Sequence, residues 1–296
     1  MNAITPQAHQ FTTRRVERHV LGRATRDGAG VALTRLIMPE LQRRLDPFLM
    51  LDRFCSERAD DYLGGFPDHP HRGFETVTYM IAGRMRHHDS GGNSGLLQPG
   101  GMQWMVAASG LIHSEMPEQE AGLMEGFQFW INLPAEHKMD APRYRDFAPQ
   151  EIPEVILQDG VRVRIIAGTF AGQRGAVTRP RTEPLLLDVH LPQGASIELP
   201  LAPEANAFLV PYRGVVQVGG ENIAAEALAV LAREGSGLGI TAQQEARVIV
   251  AAALPLGEAI AQYGPFVMNS SEEIQATLRD YRDGKFEGAP VGRLEA

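Results

Sequence analysis

The apolar residues of this chain come in many short runs separated by turn residues, and this pattern limits the folds that the chain can adopt. FETVTYMIAG at 74–83, MQWMVAA at 102–108 and GLMEGFQFWINL at 122–133 are runs of this kind. The clusters SGGNSG at 90–95 and PGG at 99–101 lie between them. Short strands at this density, with no long helical pattern among them, predict a β-sandwich or a β-barrel.

The composition is that of an ordinary globular protein. With 296 residues, 44% of them hydrophobic and 22% charged, the chain can bury a substantial core. Cys55 is the only cysteine, which excludes an internal disulfide and suits a reducing compartment. We find no apolar run typical of a signal peptide or a membrane span, so we expect a cytoplasmic protein. The net charge of −8 argues against direct binding of nucleic acid.

A polar stretch with several prolines, at 134–153, interrupts the strand pattern, which resumes after it. The chain therefore divides into two β-rich halves. The predicted segments are an N-terminal lead-in at 1–28, a first barrel at 29–134, a linker at 135–150, a second barrel at 151–262 and a C-terminal segment at 263–296.

The C-terminal segment contains one helical pattern, SSEEIQATLRDYRDG at 270–284. Ser270 and Glu273 have the spacing of a capping box at the start of a helix. Ile274, Leu278 and Tyr281 share one face. We expect this helix to pack against the barrels.

The two halves resemble each other weakly, because FETVTYMIAGRM at 74–85 and AFLVPYRGVVQV at 207–218 are both strand–glycine–strand units. When Gly83 is aligned with Gly214, the second half has apolar or amide residues where the first half has a polar cluster. In this alignment Pro200, Ala202 and Asn206 replace His69, His71 and Glu75. The second half is therefore expected to lack the site of the first.

The polar cluster consists of pairs of potential metal ligands at strand spacing. His69 and His71 are two residues apart, which puts both side chains on one face of a strand, and Glu75 has the same parity. His113 and Glu115 form a second pair of this kind. Two antiparallel strands that each offer such a pair can surround one first-row metal ion. Cysteine pairs, which structural zinc sites favour, are absent from the sequence.

Spacing alone leaves alternatives open. A single histidine on a strand is more often a surface residue or a hydrogen-bonded core residue than a ligand. Parity does not choose between Glu75 and Glu115 as the fourth ligand. His87 and His88 are adjacent and point to opposite faces of a strand, so we expect them at the surface or behind the ligands.

Four segments resemble the pirin family of the cupin superfamily: LDPFLMLDRF at 45–54, GGFPDHPHRGFETVTYMIAG at 64–83, PGGMQWMVAASGLIHSEMPE at 99–118 and YGPFVMNSSEEI at 263–274. The resemblance implies an all-β bicupin, in which two double-stranded β-helix barrels are followed by a C-terminal helix. It implies one Fe2+ ion in the first barrel, bound by His69, His71, His113 and Glu115. Glu75 then lies behind the ligands or on the substrate side.

The resemblance also implies two functions. Several pirins are quercetin 2,3-dioxygenases, which open a flavonol ring with O2 and release carbon monoxide. In such an enzyme Glu115, or alternatively Glu75, accepts the flavonol proton. The pocket walls expected around the metal are Phe66, Phe74, Trp104 and Met105. Other pirins are regulators that bind a protein partner according to the redox state of the iron.

Overall fold

Strands make up most of the computed structural model, which describes residues 11–288 and 290–295. The strands of the first half are β1 Val16–Leu21, β2 Arg23–Asp27, β3 Val31–Ile37, β4 Phe48–Ser56, β5 Phe66–His71, β6 Phe74–Ala82, β7 Met85–Asp89, β8 Ser94–Leu97, β9 Met102–Val106, β10 Leu111–Pro117, β11 Met124–Asn132, β12 Arg143–Phe147 and β13 Glu154–Ile156.

The second half continues with further strands and one α-helix among the described residues. These are β14 Arg162–Ala167, β15 Thr169–Phe170, β16 Gln173–Arg174, β17 Leu185–Leu191, β18 Ser196–Pro200, β19 Asn206–Arg213, β20 Val215–Val218, β21 Glu221–Ala224, β22 Ala227–Leu231, β23 Gly237–Ala242, β24 Ala246–Ala253, β25 Ala261–Tyr263, β26 Phe266–Met268, α1 Ser271–Arg282 and β27 Gly292–Arg293. Short 3-10 helices occupy Pro39–Leu41, Ala59–Asp61, Ala135–His137, Pro149–Glu151 and Gln158–Gly160.

The two halves have matching sheet topologies. One large sheet has the order β2-β3-β4-β11-β6-β9-β12-β27, and the other has the order β13-β14-β17-β24-β19-β22-β1. Each faces a four-stranded sheet, β5-β10-β7-β8 in the first half and β18-β23-β20-β21 in the second. Every strand of one barrel thus has a counterpart in the other, apart from β27. The predicted all-β architecture of two barrels with a C-terminal helix is confirmed.

Two predicted segments contain strands that the sequence analysis did not identify. Residues 16–27, inside the predicted lead-in, form β1 and β2, and residues 143–147 of the predicted linker form β12. β1 joins the second barrel through β22, whereas β12 joins the first through β9. β1 is an edge strand, and β12 is bordered on one side only by the two-residue strand β27. Charged side chains are tolerated at or near an edge that faces solvent. The segment limits remain predictions, and residues 1–10 lie outside the described residues.

A buried arginine ties the N-terminal strand to the second barrel. Arg14, just before β1, is fully buried. Its Nη1 donates to the carbonyl of Ala205 at 2.7 Å, and its Nη2 donates to that of Ala202 at the same distance. These hydrogen bonds pair both terminal nitrogens of the guanidinium where it is shielded from water, whereas the buried Nε has no partner among the described residues.

The two barrels meet through a shared apolar core with a polar centre. Val77 and Phe127 of the first barrel belong to the same buried cluster as Phe208 of the second. Within it, the hydroxyls of Tyr79 and Tyr212 each donate to the buried carboxylate of Asp188 at 2.8 Å. Because each polar group has a partner, the interface can be buried without unpaired charge.

The helix α1 begins and packs as predicted. The Ser270 hydroxyl accepts from the Glu273 backbone N–H at 3.2 Å, and the Glu273 carboxylate accepts from the Ser270 backbone N–H at 3.0 Å. Ile274 is buried with Phe266 and Phe286 in a cluster that Ile112 of the first barrel also contacts. The helix is therefore held on the first barrel.

A buried lysine holds the turn between β5 and β6. The Lys138 ammonium donates to the carbonyl of Gly73 and to Oδ1 of Asn132, both at 2.6 Å, and to the carbonyl of Val267 at 3.0 Å. Burial lowers the pKa of Lys138 from about 10.5 to about 7. This cation therefore connects the first barrel to β26.

The lowered pKa of Lys138 predicts a pH dependence of stability. Between pH 7 and 10.5 the unfolded chain binds a proton that the folded chain has released, so the free energy of unfolding rises with pH in this window. The expected slope is at most about 1.4 kcal/mol per pH unit. Urea unfolding of the wild type and of Lys138→Met at pH 7, 8 and 9 measures it.

The rise should disappear in Lys138→Met and persist in Lys285→Met, which removes an exposed lysine as a matched control. An identical slope in the wild type and in Lys138→Met would show that Lys138 keeps its ordinary pKa in the folded protein.

Candidate metal centre

Three imidazoles gather inside the first barrel. His69 and His71 lie on β5, and His113 lies opposite His69 on the antiparallel strand β10. One ring nitrogen of each residue lies within 4.8 Å of those of the other two. The ring centroids are 4.3 Å apart for His69 and His113 and 4.9 Å apart for His71 and His113. The structure thus brings together the three histidines that the spacing singled out.

The unpaired nitrogens of these histidines fit a metal ion. Nδ1 of His69 lies 2.8 Å from the carbonyl of Pro67, which fixes the proton on Nδ1 and leaves Nε2 as the acceptor. Nδ1 of His71 and Nε2 of His113 are buried with no hydrogen-bond partner among the described residues. Such unpaired groups are costly in a protein interior, and coordination of a cation would satisfy them.

The protonation state of the site also suits a metal. Burial lowers the pKa of His71 and of His113 well below the ordinary value of histidine, and the neighbouring imidazoles lower it further. Both rings are therefore neutral at neutral pH, which is the form that binds metals. The described residues can thus hold a metal ion through three imidazoles.

Glu115 lies on the same strand as His113 and is just as buried. Its carboxylate accepts from the Thr78 hydroxyl at 2.8 Å and from the Gln128 amide at 2.7 Å. Its oxygens are not in the set of ligand atoms that lie within 4.8 Å of one another. The pairing of β10 with β5 is irregular between His113 and Glu115. The assignment of Glu115 as the fourth ligand remains a prediction.

Glu75 is not in the group of ligand atoms that lie within 4.8 Å of one another, and its role as a base remains a prediction. Parity places Glu75 on the same face as His69 and His71 only if one strand continues through residue 75. The chain instead turns at Gly73, where φ is +90°, and β6 belongs to the other sheet. The Glu75 carboxylate accepts from the Trp104 indole at 2.6 Å and from Nε of Arg179 at 2.9 Å. It therefore binds across to the second half of the chain rather than to the metal.

His87 is a neighbour of the site that the sequence left undecided. It is buried on β7, and its Nδ1 lies 3.4 Å from Nδ1 of His113. Its ring stacks on Tyr144 at 4.6 Å between centroids. His88 is exposed. Buried and exposed residues alternate along β7, which puts His87 inside and His88 outside. The sequence does not show which of the two is buried, because that depends on the burial of Met85 and Asp89 on the same face as His87.

A cavity of about 390 Å³ opens onto His69 and His71. Its apolar side chains include Leu33, Met50, Phe54, Phe66, Met85 and Trp130, and its polar ones are Asp27, Arg35, Asp52, Gln128 and Gln262. Of the four residues predicted to line the cavity, only Phe66 does so. Phe74, Trp104 and Met105 are buried outside the lining, although Phe74 packs on His71 with a centroid distance of 5.0 Å. The volume lies within the ~300–1,000 Å³ of small-molecule sites.

The C-terminal segment closes one side of this cavity. Gln262, Gly264 and Pro265, in and after β25, line it. The backbone N–H of Val267 donates to the carbonyl of Arg72 at 3.0 Å, which fixes β26 against the residue that follows His71. The cavity is therefore built from both ends of the chain.

The second barrel has no equivalent histidines. Leu111 pairs with His71 at the start of β10, and Gly237 pairs with Pro200 at the start of β23. In this register His71 corresponds to Pro200 and His69 corresponds to Glu198. The sequence alignment of Gly83 with Gly214, which paired His69 with Pro200, is therefore shifted by two residues at these strands. The described residues contain only one potential metal-binding group of histidine, cysteine or acidic side chains, in the first barrel.

Comparisons with known proteins agree with the fold. The chain matches the Pirin family over residues 30–131 and the Pirin C-terminal cupin domain over residues 186–287. It is 54% identical over 270 residues to a Pseudomonas aeruginosa protein named "Putative quercetin 2,3-dioxygenase", covering 89% of this chain and 94% of that one. It is 47% identical over 268 residues to a Caulobacter vibrioides pirin-like protein, covering 90% of this chain and 97% of that one.

A crystal structure of quercetin 2,3-dioxygenase from Acinetobacter baumannii superposes with a TM-score of 0.87. The two chains are 31% identical, and the match covers 95% of this chain and 100% of that chain. None of the described helices is long and apolar enough to cross a membrane. The two family matches and the identity to relatives over nearly the whole chain show that this protein belongs to the pirin family.

Proposed function

We propose that this protein is a non-haem iron dioxygenase of the quercetin 2,3-dioxygenase type, which opens a flavonol ring with O2. The observation that supports the proposal best is the cavity of about 390 Å³ that His69 and His71 line, two of the three histidines that can hold a metal, together with apolar and polar side chains. The names of relatives at 54% and 31% identity point the same way.

The residues that would hold the metal are His69, His71 and His113, with Glu115 as the fourth ligand. Three imidazoles and a carboxylate suit iron and other first-row metals. A divalent ion bound there supplies Lewis acidity, which lowers the pKa of a flavonol hydroxyl.

In this proposal Glu115 also accepts the proton of that hydroxyl. Its carboxylate is buried, and the Thr78 hydroxyl and the Gln128 amide fix the direction of its lone pairs. Gln128 lines the cavity and Glu115 does not, so the Gln128 side chain separates this carboxylate from the cavity. Phe66 and Trp130 offer aromatic surfaces against which a flat ligand can pack and which exclude water.

The ligand set predicts metal loss on substitution. His113→Ala should lower metal content at least about tenfold, because it removes one of three imidazoles. Glu115→Ala should lower metal occupancy less, since the imidazoles stay in place. Metal analysis of the purified proteins by mass spectrometry, with circular dichroism to verify folding, measures both effects.

Two matched controls accompany this measurement. His88→Ala removes an exposed histidine of β7, and Glu75→Gln removes a carboxylate that faces Arg179. Both should keep full metal. A His113→Ala protein with wild-type metal content would contradict the proposed site, and a Glu75→Gln protein without metal would restore Glu75 to it.

The proposed reaction is tested directly with quercetin. Iron-loaded protein should consume O2 and evolve carbon monoxide in equal amounts, because ring opening releases one carbon atom as carbon monoxide for each O2 used. An oxygen electrode measures the O2 consumed, and gas analysis measures the carbon monoxide released by the same sample. Fully iron-loaded protein that consumes no O2 with quercetin would contradict a quercetinase function.

A second candidate function, a redox-sensing regulator that binds a protein partner, is favoured by one observation. Arg72 follows His71 directly, and its guanidinium donates to the Asp280 carboxylate of α1 at 2.8 Å. It also lies 4.4 Å from the centroid of the Phe286 ring. Arg72 therefore links the residue next to His71 directly to α1, so a change at the metal has a path to this helix.

Hydrogen exchange tests this second candidate. If iron oxidation alters the surface, amide exchange in α1 should differ at least about threefold between the Fe(II) and Fe(III) proteins, while exchange in β20 and β21 of the second barrel stays the same. Arg72→Lys should reduce the difference, because the single nitrogen of lysine cannot replace both Nε, which donates to the Ser109 carbonyl, and Nη1, which donates to Asp280. Equal exchange in both redox states would argue against the regulator.

A further inference from the structure

An arginine projects from the cavity wall formed by β3, β4 and β11. Arg35 on β3 pairs across the strands with Asp52 on β4, and both side chains line the cavity together with His69 and His71. The Asp52 side chain is 5% exposed and the Arg35 side chain is 28% exposed, so the carboxylate is shielded from water while the guanidinium keeps partial access to solvent. A charged pair is costly to bury in a wall that is otherwise mainly apolar. This cost suggests that the Arg35–Asp52 pair has a role in binding a ligand.

The guanidinium is held in one orientation by two carboxylates. Nε and Nη2 of Arg35 donate to the two oxygens of Asp52 at 2.9 and 2.7 Å, and Nη2 also donates to Asp27 at 2.9 Å. Nη1 makes no hydrogen bond with the residues that the structure describes. A forked contact of this kind fixes the plane of the guanidinium. The Nη1 donors are thus positioned in advance and unused.

The other polar side chains of the cavity are already engaged. The Gln128 amide donates to Glu115, and its carbonyl accepts from the Trp130 indole at 3.3 Å. Gln262 accepts from Gln42 at 2.7 Å and donates to the carbonyl of Gly264 at 3.2 Å. Nη1 of Arg35 is therefore a charged donor that a ligand in the cavity can use without breaking an existing bond.

We infer that Arg35, held by Asp52 and Asp27, is a specificity-determining residue that binds a hydroxyl group on the part of the substrate farthest from the metal. This inference rests on the proposed function. Two carboxylates already neutralise the guanidinium, so a ligand carboxylate would meet repulsion there. A neutral phenolic hydroxyl accepts from Nη1 and donates to the partly exposed carboxylate of Asp27.

The competing explanation is that the Arg35–Asp52 pair only ties β3 to β4. The chain contains a matched pair for comparison. Arg53 follows Asp52 on β4, points to the opposite face, and donates to the buried Glu125 carboxylate at 2.8 Å. Arg53 does not line the cavity. A purely structural role predicts the same effect on ligand binding from disrupting either pair.

Anaerobic fluorescence titration of the iron-loaded protein tests the inference, because it measures binding without turnover. Quercetin carries two neighbouring hydroxyls on its outer ring, and galangin carries none. The wild type should bind quercetin roughly tenfold more tightly than galangin, as expected for a hydrogen bond to a charged donor. The double variant Arg35→Gln/Asp52→Asn, which leaves no unpaired buried charge, should lose this preference and keep its affinity for galangin within about twofold.

The control Arg53→Gln/Glu125→Gln should keep the preference for quercetin. If the Arg35 double variant does not fold, Arg35→Lys keeps the positive charge beside Asp52 but removes Nη1, and it too should reduce the preference. A variant that retains the preference, or that loses affinity for both flavonols equally, overturns the role of Arg35 and leaves the proposed enzyme standing. A wild type that binds neither flavonol overturns both.

Discussion

The turn at Gly73 decides where every residue of the candidate site points. Its φ of +90° is a conformation that L-residues with a side chain rarely adopt, and a Cβ there would lie 1.8 Å from the carbonyl oxygen of Val267. The turn transfers the chain from the four-stranded sheet to the large sheet. As a result His69 and His71 form one wall of the barrel interior, while β6 continues in the opposite wall and points Thr78 toward Glu115.

Residue spacing correctly predicted which histidines meet, because each pair lies on one unbroken strand or on adjacent strands. His69 and His71 share a face because both lie on β5, and His113 meets them because β10 is the antiparallel neighbour of β5. The capping box of α1 was equally local, since Ser270 and Glu273 are three residues apart. The two barrels followed from the density of short apolar runs, which the sheet topology repeats strand by strand.

Features that depend on contacts across the fold were not readable from the sequence. Parity placed Glu75 with the histidines because nothing in the residue types shows that the strand ends at Gly73. The strands β1 and β12 carry too many charged side chains to be recognised by apolar periodicity. β1 lies at a sheet edge and β12 is covered there only by the two-residue strand β27, which explains why those charges are tolerated. The pairing of Arg35 with Asp52 is set by strand register, which composition does not encode.

The two barrels are not independent units joined by a linker, and this bears on the site. β1 extends the sheet of the second barrel, whereas β26 and α1, from the far end of the chain, pack on the first. Pro265 closes the cavity beside His71, and Lys138 binds both Gly73 and Val267. A first barrel without the C-terminal segment would therefore leave Lys138 and the cavity incomplete. The second barrel lacks the histidines, but it connects the first barrel to the C-terminal segment, which completes the cavity.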